Sequence, residues 1–221
     1  MAIRTHRLPF PLCAADARAL HAGDQVIIDG EIIATAGLPT HERLVRCLDG
    51  GEPLPLALHG ASLFHLGSYS RDAGDGLDLL YINPTTSTRF NPFMPRLIEG
   101  FGFHAVGGKG GLDGNCVRAM QATGCVYLSF LGGGATLHTQ AIREVIEVGW
   151  PDMLMHYRLV RLRVEGLGPV TVGIDAHGRS LYQEEQASAS ARLPQILADL
   201  AADRDRARSA ATGKPLGNVD E

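Results

Sequence analysis

At 221 residues, 45% hydrophobic and 20% charged, the chain is long enough to bury a sizeable core and too apolar to be disordered throughout. Twenty basic against twenty-four acidic residues give a net charge of −4, which offers no general attraction to nucleic acid or to anionic lipid. No apolar run reads as a membrane span: the longest uncharged stretch, 119–142, is interrupted by glycines, threonines and glutamines.

The N-terminus is basic but meets prolines and Asp16 rather than a long apolar run, so no export signal is expected and the protein is read as cytoplasmic. A short helical piece is expected around 14–21. A turn at Gly23-Asp24 then opens two strands, 25–28 and 31–35, with a break at Gly30. Pro39 starts a helix over 39–48, whose Leu44, Cys47 and Leu48 share one face. Strands 61–66 and 77–82 are joined by a polar turn over 71–76. Strands 102–106 and 126–131 flank a helix over 112–122, which makes a βαβ unit. The period of His138, Ala141, Ile142, Val145 and Ile146 predicts a helix over 135–148. Segments 157–164 and 170–174 read as a hairpin about Gly166-Leu167-Gly168. A helix over 189–208 and a disordered tail from 209 complete the chain.

Two loops combine small residues with a cation. In Asn83-Pro84-Thr85-Thr86-Ser87-Thr88-Arg89, hydroxyls and backbone N–H groups follow a strand and a guanidinium can close on a carboxylate, although a polar turn with a helix cap explains the composition too. In Val106-Gly107-Gly108-Lys109-Gly110-Gly111, glycines let the backbone approach a ligand while Lys109 supplies a point charge; neither a dinucleotide fingerprint nor a P-loop is satisfied. Gly132-Gly133-Gly134 is read as a close-packed connection, and His41 and His65 as structural donors before catalysts. Asp24, Asp29, Asp113 and Asp175 sit at turns. The four cysteines form no C-x-x-C pair and read as free thiols. Anion-binding groups without a base, nucleophile or metal centre suggest half a site.

The order GDQVIIDGEI, TAGLPTHER, LFHLGS, NPTTSTRF, VGGKGGL and TVGIDAHGRSLY, spanning roughly 22–182, resembles the β subunit of iron–sulfur hydro-lyases of the class I fumarase and L(+)-tartrate dehydratase group. The resemblance implies an α/β fold, a swivelling β/β/α domain with a mixed sheet and packed helices, over residues 22–185. Residues 1–21 would be an N-terminal extension and 186–221 a C-terminal helix and flexible tail. It also implies that the chain works with a cluster-bearing α subunit, two of each, and that the 4Fe-4S cluster and the catalytic base belong to that partner, with no metal ligated here. The isolated chain would then fold but be inactive and colourless. The family motif G-P-T-T-x-x-R-M aligns with 83–90 and the lysine of its G-K-G segment with Lys109. Thr85, Thr86, Arg89 and Lys109 would therefore bind a carboxylate of a small hydroxy acid, Arg89 and Lys109 acting in catalysis, with His41 and Arg43 supporting. The family's T-x-R-D-x-x-H-x-R reads Thr35 to Arg43 here, so its substrate-facing arginine has become Gly37. That change is expected to open space and move preference away from C4 dicarboxylates. The competing reading is a non-catalytic binding or regulatory module that kept the fold.

Overall fold

The computed structural model describes residues 3–72 and 77–212, so part of the predicted 71–76 turn and the tail from 213 lie outside the described residues. The chain runs β1 (Thr5–Phe10), α1 (Ala14–Ala19), β2 (Gln25–Ala34), α2 (Leu38–Leu48), β3 (Ser62–Phe64), β4 (Leu66–Asp72) and β5 (Leu77–Pro84). After a 3₁₀ turn, Ser87–Phe90, come α3 (Met94–Phe101), β6 (Ala105–Gly108), α4 (Gly114–Thr123), β7 (Val126–Ser129), α5 (Ala135–Gln140) and β8 (Ile142–Gly149). A second 3₁₀ turn, Met155–Tyr157, leads to β9 (Leu159–Ile174) and α6 (Leu181–Thr212).

This is the expected mixed sheet with packed helices and a C-terminal helix. The main sheet has the order β1-β2-β3-β6-β7-β9-β8, with its first five strands parallel and β9 antiparallel to its neighbours. Because β9 also pairs with β2, strands β2, β3, β6, β7 and β9 close into a ring. One core, including Val26, Ile28, Phe64, Val126, Leu128 and Leu162, lies on one face of these strands. A second core sets Leu63, Val106 and Tyr127 against Leu44, Leu97, Ile98 and Met120 of α2, α3 and α4. The βαβ unit stands as expected, with β6 and β7 parallel around α4, whose N-cap Asp113 accepts from the amides of Asn115 and Cys116. Strands β4 and β5 form a separate antiparallel pair, and α5 lies against β5, where Thr139 accepts the amide of Ile82 at 3.0 Å.

Three expectations are corrected. The 135–148 helix stops at Gln140, and Ile142–Gly149 is a strand. Its β-branched Ile142, Val145, Ile146 and Val148 favour a pleated surface. The charges expected on a helix exterior instead pair across to β9: Arg143 with Glu165, Glu144 with Arg163, Glu147 with Arg161. The expected hairpin is one strand of sixteen residues, β9. Leu167 is fully buried opposite Ile28 and the pairing shifts register there, so the Gly-Leu-Gly sequence is crossed as a bulge and not as a turn. Gly30 likewise sits within a continuous β2, opposite Phe10. The sheet moreover begins at Thr5, where alternating exposure along β1 and the Arg4–Asp24 and Arg7–Asp29 ion pairs fix it beside β2.

The chain divides into two units, Met1–Tyr182 and Gln183–Glu221. In the second, α6 continues to Thr212, past the expected end at 208, and Leu193, Ile196, Leu197 and Leu200 are exposed along it. Among the described residues no helix is long and apolar enough to cross a membrane.

Candidate active site at the ends of the parallel strands

The two loops singled out by sequence meet. Strand β3 leaves the sheet after Phe64, and the segment from Thr85 to Ser87 takes its place beside the end of β6. Thr85 N–H donates to His65 O (2.8 Å), Lys109 N–H to Thr85 O (3.0 Å) and Ser87 N–H to Lys109 O (2.8 Å), a parallel bridge between Thr86 and Lys109. The bridge lies at the carboxyl ends of β3 and β6, where open parallel sheets bind ligands. Arg89 is exposed on the 3₁₀ turn and Lys109 is half-buried; among the described residues neither side chain has a hydrogen-bond or ion-pair partner. The two bridged loops thus carry Thr85, Thr86, Arg89 and Lys109, residue types whose hydroxyls and charges are able to bind an anion. The Gly132-Gly133-Gly134 connection borders it, since a Cβ on Gly132 would lie 3.5 Å from Lys109 Cδ.

Gly108 makes the approach possible. A Cβ there would fall on Ser87 Oγ, 2.9 Å from His65 Cβ and 3.1 Å from Thr85 O, at a φ of +157°. Beneath the bridge, Ser87 Oγ lies 2.7 Å from His65 Nδ1 and accepts from the Tyr127 hydroxyl at 2.8 Å; all three residues are fully buried. Sequence reasoning missed Ser87 and Tyr127 as a unit, because an apolar strand pattern gives no sign that a tyrosine's hydroxyl meets a serine 40 residues away in the chain.

His41 is buried on α2. Its Nδ1–H donates to Gly37 O at 2.6 Å, and its ring stacks on Phe90 at 3.9 Å and 7°. It therefore braces the turn that carries Arg89, and its ring centroid lies 5.2 Å from that of His65. Arg43 is committed elsewhere: its guanidinium pairs with Glu52 (2.8 Å) and Asp152 (3.2 Å) and lies over the Trp150 ring. Burial pushes His41 down to about 4, and holds His65 well below its ordinary value with His41 adding to the effect. A base whose folded pKa is depressed stabilises the fold above its unfolded pKa and loses that contribution as pH falls. Stability is thus expected to decline between about pH 6.5 and 4, by on the order of 3 kcal/mol for His41. Urea unfolding across this range should show a shallower decline for His41→Phe; equal declines in variant and wild type would contradict this source of acid lability.

Position 37 is not the open space that the loss of an arginine was expected to leave. Gly37 is buried, and a Cβ on it would overlap Thr40 Oγ1 and come within 2.9 Å of Tyr157 Cβ. Thr40 itself donates to Tyr157 O, so the 3₁₀ turn Met155–Tyr157 is fastened over this glycine. Gly37→Arg is expected to destabilise by about 1–3 kcal/mol, the usual cost of overpacking. Urea unfolding of that variant at wild-type stability would show that Tyr157 yields without cost.

The family model for the fumarase C-terminus matches residues 4–185. The chain is 30% identical to the L(+)-tartrate dehydratase subunit beta of Escherichia coli (strain K12) over 193 residues, covering 87% of this chain and 94% of that one. A Methanocaldococcus jannaschii chain with the same name given provisionally is 30% identical, over 84% and 95%. A Geobacillus stearothermophilus chain provisionally named fumarate hydratase class I is 31% identical over 87% of this chain but 36% of its own length.

Proposed function

The chain belongs to the fumarase C-terminus family, and from that premise we propose that it is the β subunit of a hydro-lyase that grips the carboxylate of a small hydroxy acid. The relatives' names supply the reaction class. The observation that carries the reading is the Thr86–Lys109 bridge, which brings the two cation-bearing loops together, with no carboxylate among the described residues paired to either cation. Arg89 would take the substrate carboxylate as a bidentate fork and Lys109 as a point charge, with Thr85 and Thr86 donating hydroxyl hydrogens. As a proton leaves the adjacent carbon, negative charge builds on that carboxylate, and both cations stabilise it.

A 4Fe-4S cluster would supply Lewis acidity toward the departing hydroxyl. The donors of this chain do not fit one. Cys13 is exposed, Cys47 half-buried, and Cys116 and Cys125 are buried, with burial pushing the Cys116 thiol up to about 12. Among the described residues no group of three or more His, Cys, Asp or Glu could hold a metal ion. On the family resemblance, we place the cluster and the base in a partner α subunit, in a complex of two copies of each. Four free thiols accord with a reducing, cytoplasmic setting.

Anaerobic co-expression with the neighbouring gene product, followed by a screen of hydroxy- and unsaturated mono- and dicarboxylates, tests this reading. The pair should eliminate or add water on at least one acid. A pair with its full complement of cluster iron that turns over none of them would leave the chain a binding or regulatory module.

A further inference from the structure

Ser87 is tied to the rest of the protein in three directions. Its N–H donates to Lys109 O (2.8 Å), its Oγ accepts from the Tyr127 hydroxyl (2.8 Å), and the same oxygen meets His65 Nδ1 (2.7 Å). Tyr127 Oη in turn accepts the N–H of Gly111 at 3.3 Å, from the far end of the glycine loop that carries Lys109. Through its amide and its buried hydroxyl, Ser87 thus connects the residue after β3, the turn that carries Arg89, β7 and both ends of the Lys109 loop. His65, Ser87 and Tyr127 all have no exposed surface, so water cannot stand in for a lost partner. Burial keeps the His65 ring neutral, and its Nδ1 shares a hydrogen bond with the Ser87 oxygen that also accepts from Tyr127.

We infer that Ser87, acting through His65 and Tyr127, is a positioning residue that sets the spacing between Arg89 and Lys109. It touches no substrate; it fixes where the two cations stand. Arg89 follows it by two residues, so a shift of Ser87 moves the guanidinium, and its amide bond to Lys109 moves the ammonium in the opposite loop. A displacement of about 1 Å at a reacting site can cost about 10²-fold in rate. The inference rests on the carboxylate reading for its effect on turnover and on the hydrogen bonds alone for its effect on the loops.

The test therefore has two arms. In the assembled enzyme, at a temperature well below unfolding, Ser87→Ala should lower kcat/KM about 10–100-fold, through both KM and kcat. Tyr127→Phe should lower it severalfold. The double variant should lose less than the product of the two single losses, because Ser87 and Tyr127 share one hydrogen bond, and any loss beyond that of Ser87→Ala comes from the Tyr127 bond to the Gly111 amide. Ile98→Val, a core change away from these bonds, should lower the thermal midpoint and leave kcat/KM within twofold. In the second arm, amide hydrogen exchange of the full chain should rise at least tenfold in the segments 85–90 and 107–112 of Ser87→Ala and stay unchanged there in Ile98→Val. Wild-type exchange in both segments of Ser87→Ala would overturn the inference even if no acid were turned over, an outcome that by itself would tell against the carboxylate reading. Faster exchange with unchanged kcat/KM, additive losses in the double variant, or equal kinetic losses in Ile98→Val would overturn it as well.

Discussion

In the assembled enzyme, Arg89→Ala and Lys109→Ala are each expected to lower kcat/KM for the preferred hydroxy acid by about 10²–10³, the usual cost of removing a preorganised charge from a developing anion. Stability is barely touched. Neither side chain has a partner among the described residues, and surface changes of this kind stay within about 0.5 kcal/mol. Arg89→Lys should fail almost as badly, since an ammonium cannot make the parallel pair of hydrogen bonds that a guanidinium makes to a carboxylate. Steady-state kinetics with the complete complex, together with a thermal midpoint for each variant, checks all three outcomes. Full activity in Arg89→Ala and Lys109→Ala would remove both residues from the site, and a collapse of the midpoint would make them structural.

Gly108→Ala is expected to do the reverse, damaging stability and activity together. The new methyl would displace Ser87 Oγ and press on His65 and on the Thr85 carbonyl, all fixed parts of the bridge. Forcing one extra carbon into such packing costs about 1–3 kcal/mol, and the residue must also hold a φ of +157° that L side chains rarely adopt. The midpoint of urea unfolding should fall accordingly, and kcat/KM should drop even where the variant is fully folded, because the two loops can no longer meet at their present separation. A variant that binds and turns over substrate like the wild type would show that the close approach at Gly108 is not what aligns the cations.

What could be read from the sequence was local. Glycine punctuation and apolar runs marked the βαβ unit, and small residues around Arg89 and Lys109 marked both loops before any fold was known. Two of the turn aspartates were legible for the same reason, since Asp113 caps α4 and Asp175 accepts the amides of His177 and Arg179, whereas Asp29 lies within β2, not at a turn, and pairs with Arg7. What failed depended on distant partners. Residues 142–149 repeat at a helical period, yet their charges find β9 and their β-branched side chains suit a strand. β1 shows only a short alternation, and Arg4 and Arg7 become meaningful once Asp24 and Asp29 lie opposite. His65 could be read as a structural donor, but nothing in Ser62–Phe64 or Val126–Ser129 announces that it shares a serine with Tyr127. Gly37 invited the inference of an empty space because Tyr157, which fills it, stands 120 residues further on in the chain.

The most direct measurement is a titration of the cluster-bearing subunit, held anaerobically with saturating substrate, with increasing amounts of this chain. If the chain supplies the carboxylate-binding half of the site, the rate rises from near zero and saturates at one copy of this chain per cluster, while the Lys109→Ala chain assembles equally well and leaves the rate about 10²-fold lower. A cluster-bearing subunit that reaches its full rate with none of this chain present would contradict the account.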